Sequence, residues 1–200
     1  MSLLIAMLSF SLIMSISPGP INMVIISSGA TFGVRKTFAF VSGATIGFTL
    51  LLIFIGLGFY KIINLYPFFF KYLAVAGSLF IFYLGYLIAS STNELNIQKQ
   101  NQPSFLQGVF LQWLNPKAWM ACASGASLFS SPDNPQLFLI FLLIYFLVCY
   151  ISLFFWSLLG DKATIFLSTE FRIRLFNKLM GGTLIATACF LLYTQFSTKV

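Results

Sequence analysis

The chain has 200 residues, of which 59% are hydrophobic and 8% are charged, and its mean hydropathy is +0.95. A soluble domain carries about 25% charged residues, so this composition cannot cover a water-facing surface and indicates an integral membrane protein. The net charge is +7, but the basic residues stand singly or in small groups between apolar runs. This distribution is typical of topology signals, so no nucleic-acid partner is expected.

The composition also excludes several enzyme classes and most metal sites. The chain contains no histidine, which rules out His-based triads, His-ligated zinc and HExxH metalloproteases. Its four acidic residues are too scattered to form a carboxylate metal cage, and no Walker-type GxxxxGKS/T motif occurs. We therefore expect no enzyme activity, no cofactor and no bound metal. The cysteines all lie inside apolar runs, where they usually act as small hydrophobic residues: Cys122, Cys149 and Cys189.

Charge-free apolar intervals place six candidate membrane spans, each near the length of about 20 residues that a helix needs to cross a bilayer core. Helices are predicted because a backbone in lipid must satisfy its own hydrogen bonds and no barrel-like alternation occurs. The first interval lacks a basic segment before it and contains Pro-Gly-Pro, so we expect a span rather than a cleaved signal peptide. The intervals are 3–28, 38–60, 68–90, 105–129, 136–159 and 179–196.

The positions of lysine and arginine predict the orientation. With the N-terminus outside, seven basic residues fall in cytoplasmic loops and three in outer segments. We therefore predict a multi-pass protein of the inner (plasma) membrane with both termini outside. The cytoplasmic set is Arg35, Lys36, Lys99, Lys162, Arg172, Arg174 and Lys178, and the outer set is Lys61, Lys71 and Lys199.

Two predicted spans contain proline near the middle of the membrane. The first span reads SPGPIN over residues 17–22, and the fourth reads LNPKA over residues 114–118. Proline removes an amide donor and clashes with the preceding turn, but it fits the first turn of a new helix after a Gly or Asn cap. Each span is therefore predicted to consist of two half-helices, the second beginning near Pro20 or Pro116.

These breaks are the candidate substrate site. The N-terminus of a half-helix presents free amide donors and a positive dipole end, which attract an anion strongly in a low-dielectric cavity. A lysine inside a span is costly and usually functional. The alternatives are ordinary proline kinks and a lysine that reaches the membrane surface. The predicted substrate-binding residues, for a guest with a carboxylate or another small anionic group, are Pro18, Gly19, Pro20, Asn22, Asn115, Pro116 and Lys117.

Each half of the chain, about 1–98 and 99–200, holds three predicted spans and begins with the interrupted one. Because three is odd, the halves cross the membrane in opposite directions, so we predict a single transporter domain built as a 3+3 inverted repeat. Gly43-xxx-Gly47 and Gly29-xxx-Gly33 permit close helix packing. Packing within the chain is the first interpretation of these glycines, and a homodimer face is the second.

These motifs resemble those of the LysE family of amino-acid exporters, which includes lysine and arginine exporters and homoserine/threonine resistance proteins. The resemblance covers nearly the whole chain in the family's order, through SPGP (17–20), GVRK (33–36), GxxxG (43–47), Gly77 with YLG (83–85), and NPK (115–117). The cysteine/O-acetylserine exporter branch is most similar, through TFGVRKT (31–37), IASST (88–92) and LQWLN (111–115).

The resemblance implies efflux of small neutral amino acids or derivatives, of the cysteine/O-acetylserine or homoserine/threonine type, driven by the proton gradient. Many family members carry an aspartate where this chain has Phe48, which argues against a cation-binding role there and against a basic substrate. We expect the substrate carboxylate to sit between the two half-helix N-termini while one repeat rocks against the other. Lys117 is the candidate carrier of a coupled proton.

Three other functions remain as alternatives. Export of another small solute or a divalent cation is the first, although the spans offer no carboxylate ligand. An intramembrane Ser–Lys enzyme is remote, because Lys117 and Ser127 are about 15 Å apart along a helix. A thiol relay needs a cysteine at each break, and the first span has none. The expected partners are the amino-acid substrate and membrane lipid, with a homodimer left open.

Overall fold

The computed structural model describes residues 2–59, 69–90, 102–130, 134–163, 165 and 169–197. Within these residues it is all-helical, as predicted, with eight α-helices and a short π-helical segment, Ile55–Phe59, that extends the third helix. The helices are α1 (Ser2–Ile16), α2 (Pro20–Phe32), α3 (Val34–Phe54), α4 (Phe69–Ala89), α5 (Phe105–Trp113), α6 (Pro116–Phe129), α7 (Pro135–Ala163) and α8 (Glu170–Ser197).

Four stretches of helix are long and apolar enough to cross a membrane: Val34–Gly58, Tyr72–Ala89, Pro135–Ala163 and Phe171–Tyr193. The pair α1 and α2 meets at 61° and passes the same test together, so the described residues provide four spans, or five with the bent pair. The pair α5 and α6, which forms the predicted fourth span, is outside that count. The 3+3 arrangement of six spans therefore stays a prediction.

Both predicted helix breaks are confirmed. Helix α2 begins at Pro20 after an extended Gly19, and α6 begins at Pro116 after an extended Asn115. Proline has no amide hydrogen, so at the first helical position it leaves no donor without an acceptor, and its fixed φ angle is already helical. The two prolines therefore start new helices and do not merely kink continuous ones.

Glycines allow the helices to approach each other at backbone distance. Gly43 and Gly47 of α3 face the backbone of α5 so closely that a methyl group at Gly43 would overlap the Phe105 carbonyl oxygen. Gly29 of α2 faces the Ser157 carbonyl oxygen of α7 in the same way. These glycines therefore pack within the chain, which was the first of the two interpretations.

The core lies between α1, α2, α3, α5, α6 and α7, while α4 and α8 pack chiefly against each other. Apolar side chains cover both the inside and the outside of the bundle, as expected of a protein surrounded by lipid. Cys122 and Cys149 are buried, but Cys189 is exposed on α8. An apolar run does not distinguish the lipid-facing side of a helix from its buried side.

Candidate functional site

Lys117 joins the two helix breaks. It stands in the first turn of α6, and its ammonium group donates hydrogen bonds to the carbonyl oxygen and the Oγ atom of Ser17, each at 2.8 Å, and to the Pro18 carbonyl oxygen at 3.4 Å. The last carbonyls of a helix lack intrahelical donors and form the negative end of its dipole. The C-terminal end of α1 therefore stabilises the charge of a lysine that lies 100 positions later in the chain.

The second break satisfies its own backbone groups. The Asn115 side chain accepts a hydrogen bond from the Lys117 amide at 3.1 Å, and the Asn115 carbonyl accepts one from the Ala118 amide at 2.9 Å. On the other side of the break, the Trp119 indole donates to the Trp113 carbonyl at 2.7 Å. The prediction of free amide donors at this N-terminus is therefore wrong, because the cap residue of α6 already occupies them.

The first break leaves its N-terminus open. Gly19 has no side chain to cap α2, and Pro20 has no amide hydrogen. The described residues provide no acceptor for the amides of Ile21 and Asn22, although both residues are buried. The Asn22 side chain instead donates to the Ser15 carbonyl of α1 at 3.1 Å, which ties the two half-helices across their bend. The start of α2 therefore keeps two amide donors available for an anion.

Two cavities adjoin at the breaks. The inner cavity, of about 40 Å³, lies between α1, α2, α3, α5, α6 and α7. The wide cavity, of about 360 Å³, lies between the starts of α2 and α6 and the middle of α8. Gly19, Asn115 and Lys117 line both cavities and so stand between them. Gly19 leaves room for the lysine, since a methyl group there would lie 3.3 Å from Lys117 Nζ.

The structure brings the seven predicted site residues together. Of these, Gly19, Asn22, Asn115 and Lys117 line the inner cavity. The wide cavity is lined by six of them: Pro18, Gly19, Pro20, Asn115, Pro116 and Lys117. Among the residues that the structure describes, Lys117 is the only charged side chain that lines either cavity.

Several site residues have no clear signal in the sequence. Ser17 lies inside the SPGP run but is not among the predicted site residues, yet it provides two of the three oxygen atoms that hold the lysine. Ser15 lies in the last turn of an ordinary apolar helix. The rings of Phe48 and Tyr145 stack at 4.4 Å between their centres and line the inner cavity. They lie on different helices, so the sequence alone does not show that they meet.

Comparison with known proteins relates the chain to translocators and efflux proteins. Residues 12–195 match the model of the LysE type translocator family. The cysteine/O-acetylserine efflux proteins of Escherichia coli strain K12 and Shigella sonnei strain Ss046 are each 26% identical over 136 residues, which are 68% of this chain and 70% of each relative. The protein of the same name from Klebsiella pneumoniae is 25% identical over 131 residues, 66% of this chain and 67% of that relative. No solved structure matches the chain significantly.

Proposed function

We propose, since the chain belongs to the LysE type translocator family, that it exports small neutral amino acids or their close derivatives from the cytoplasm. The family and the efflux-protein relatives make it a multi-pass transporter of the inner membrane rather than an enzyme. The observation that carries the proposal is the bond between the two breaks, in which Lys117 of the second reaches Ser17 and Pro18 of the first.

The first break complements both charged groups of an amino acid. The end of α1 offers carbonyl oxygens, which suit an ammonium group, and the start of α2 offers the free amides of Ile21 and Asn22, which suit a carboxylate. In our proposal the substrate ammonium takes the place of Lys117 on the Ser17 and Pro18 carbonyls. The released lysine then pairs with the substrate carboxylate. No acidic side chain lines either cavity among the described residues, which favours a neutral substrate over a basic one.

The mechanism we propose is alternating access, in which one repeat moves against the other around the breaks. Helices α5 and α6, of 9 and 14 residues, then form the remaining span, in correspondence with α1 and α2. Movement of the Lys117 ammonium between the carbonyls and the substrate changes the surroundings of the only charged side chain, among the described residues, that lines the two cavities. This makes Lys117 the candidate for coupling transport to the proton gradient.

Labelling of single cysteines tests the six-span arrangement and its orientation. In a variant without the native cysteines, Asn134→Cys should react with an impermeant maleimide in intact cells, while Gln102→Cys should react only after permeabilisation. The two positions flank α5 and α6 and are both exposed. Labelling of both from the same side would make α5 and α6 a re-entrant pair. Labelling of Gln102→Cys alone from outside would reverse the orientation.

Counterflow in proteoliposomes tests the function. Liposomes loaded with unlabelled serine should accumulate labelled serine or alanine. They should not accumulate labelled lactate, which lacks the ammonium group, or ethanolamine, which lacks the carboxylate. Exchange of lactate as fast as alanine would refute the role of the carbonyls of the first break. Absence of exchange with serine, alanine, cysteine, threonine and O-acetylserine would refute amino-acid export.

A further inference from the structure

Ser15 is a buried hydroxyl group without a well-formed hydrogen bond. It lies in the last turn of α1, is 7% exposed and lines the inner cavity, where the Tyr145 hydroxyl and the Cys149 thiol are its polar neighbours. Its Oγ atom meets the geometric requirements of a hydrogen bond with neither of them, nor with any other described residue. Serines in helices commonly bond to the carbonyl four residues back, as Ser11 does to Met7 at 2.7 Å. A buried polar group left unpaired is costly. Of the four such atoms in the described residues, only Ser15 Oγ belongs to a residue that lines one of the two cavities, which makes it available to a ligand there.

The position of Ser15 is fixed beside the proposed binding groups. Its carbonyl oxygen accepts the hydrogen bond from the Asn22 side chain, and Asn22 also provides one of the free amides of α2. A group bound at the start of α2 therefore has the Ser15 hydroxyl as its neighbour on the side of the inner cavity. Gln112, which is 5% exposed, is a further buried polar side chain of the lining, besides Ser15, Asn22 and Asn115.

The inner cavity is small and has two aromatic rings in its wall. Its volume of about 40 Å³ exceeds the roughly 10–15 Å³ that one water-sized group needs, but it leaves no room for a long chain. The stacked rings of Phe48 and Tyr145 form the wall contributed by α3 and α7. The cavity thus suits a short side chain that carries one polar group.

We infer that the inner cavity binds the side chain of the substrate and that Ser15 determines specificity by hydrogen bonding to a small polar group on that side chain. This inference rests on the proposed function. The charged groups of the substrate then sit at the first break, beside Lys117, while its side chain points past Asn22 toward Ser15. Side chains with a hydroxyl or thiol group on or next to the β-carbon fit this arrangement.

The test compares serine with alanine, which differ by the hydroxyl group alone. The wild-type protein should exchange serine in preference to alanine, and Ser15→Ala should reduce that preference about tenfold, the size expected when one buried hydrogen bond is lost. Ser11→Ala, which removes only a bond within α1, is the matched control and should keep the wild-type preference. The ratio of the two substrates is measured on one preparation, so it does not depend on how much protein folds.

A second variant tests the volume of the cavity. Ser15→Thr keeps the hydroxyl and adds one methyl group, so the preference for serine over alanine should persist, while exchange of threonine relative to serine should fall about tenfold. An unchanged ratio of serine to alanine in Ser15→Ala, or equal exchange of threonine and serine in Ser15→Thr, overturns the inference and leaves amino-acid export standing. Failure of the wild-type protein to exchange either serine or alanine instead counts against the proposed function.

Discussion

Replacement of Lys117 by methionine should lower amino-acid exchange about 100-fold. The loss of one partner from a fully buried, hydrogen-bonded charge pair costs about 2–5 kcal/mol, and the lower part of that range applies to the partly buried Lys117. The substitution keeps most of the side-chain volume and removes the charge. It deprives the Ser17 and Pro18 carbonyls of their donor and the substrate carboxylate of its proposed partner. The measurement is the initial rate of serine counterflow, normalised to the amount of monodisperse protein.

The control for this variant is Lys162→Met, at the exposed end of α7, which should exchange serine at the wild-type rate. Transport by Lys117→Met at the wild-type rate, with the same dependence on an imposed pH gradient, would remove the lysine from both binding and coupling. A variant that binds substrate normally but exchanges it slowly would instead limit the lysine to the conformational step.

Substitution of Gly160 by leucine should reduce the yield of folded protein at least tenfold. A methyl group at this position would already overlap the Ile26 carbonyl oxygen of α2, and forcing extra atoms into a packed contact costs about 1–3 kcal/mol or more. Gly29 faces α7 equally closely, so the contact between the two helices would have to open to admit a side chain. The yield is read as the monodisperse fraction in size-exclusion chromatography after detergent extraction.

Gly182→Leu is the control that separates the effect of the helix contact on yield from the effect of helix propensity. A methyl group at Gly182 would meet nothing within 4 Å, and leucine is a better helix former than glycine by about 1 kcal/mol. Intrinsic propensity alone therefore favours both substitutions, and only the contact between α2 and α7 makes Gly160→Leu harmful. Equal yields of the two variants would mean that the two helices do not meet as described.

The sequence predicted the elements that depend on local chemistry. Proline disfavours a helix interior and favours the first turn whatever lies around it, so the starts of α2 at Pro20 and of α6 at Pro116 are predictable without any knowledge of neighbours. The all-helical fold followed from the requirement that a backbone in lipid satisfies its own hydrogen bonds. The bend of 61° between α1 and α2 follows from the same proline chemistry.

Features that depend on helix rotation or on distant contacts were not predictable in this way. The side chain of Ser15 faces a cavity while Cys189 faces outward, although both lie in apolar runs. The motifs of the two breaks look equivalent, yet Asn115 caps its own helix and Gly19 cannot. The two breaks therefore differ in how their backbone groups are satisfied. This difference becomes visible only in the structure, where Lys117 of the second break bonds to Ser17 of the first.

The bond between Lys117 and the first break also bears on when export takes place. A tethered ammonium group competes with any free one at an effective concentration of millimolar order. A substrate that must displace it has its apparent affinity lowered by the same competition. In the proposed mechanism, export is therefore slow while the cytoplasmic concentration of the amino acid is low, and it becomes faster when the concentration is high enough for the substrate to displace the lysine.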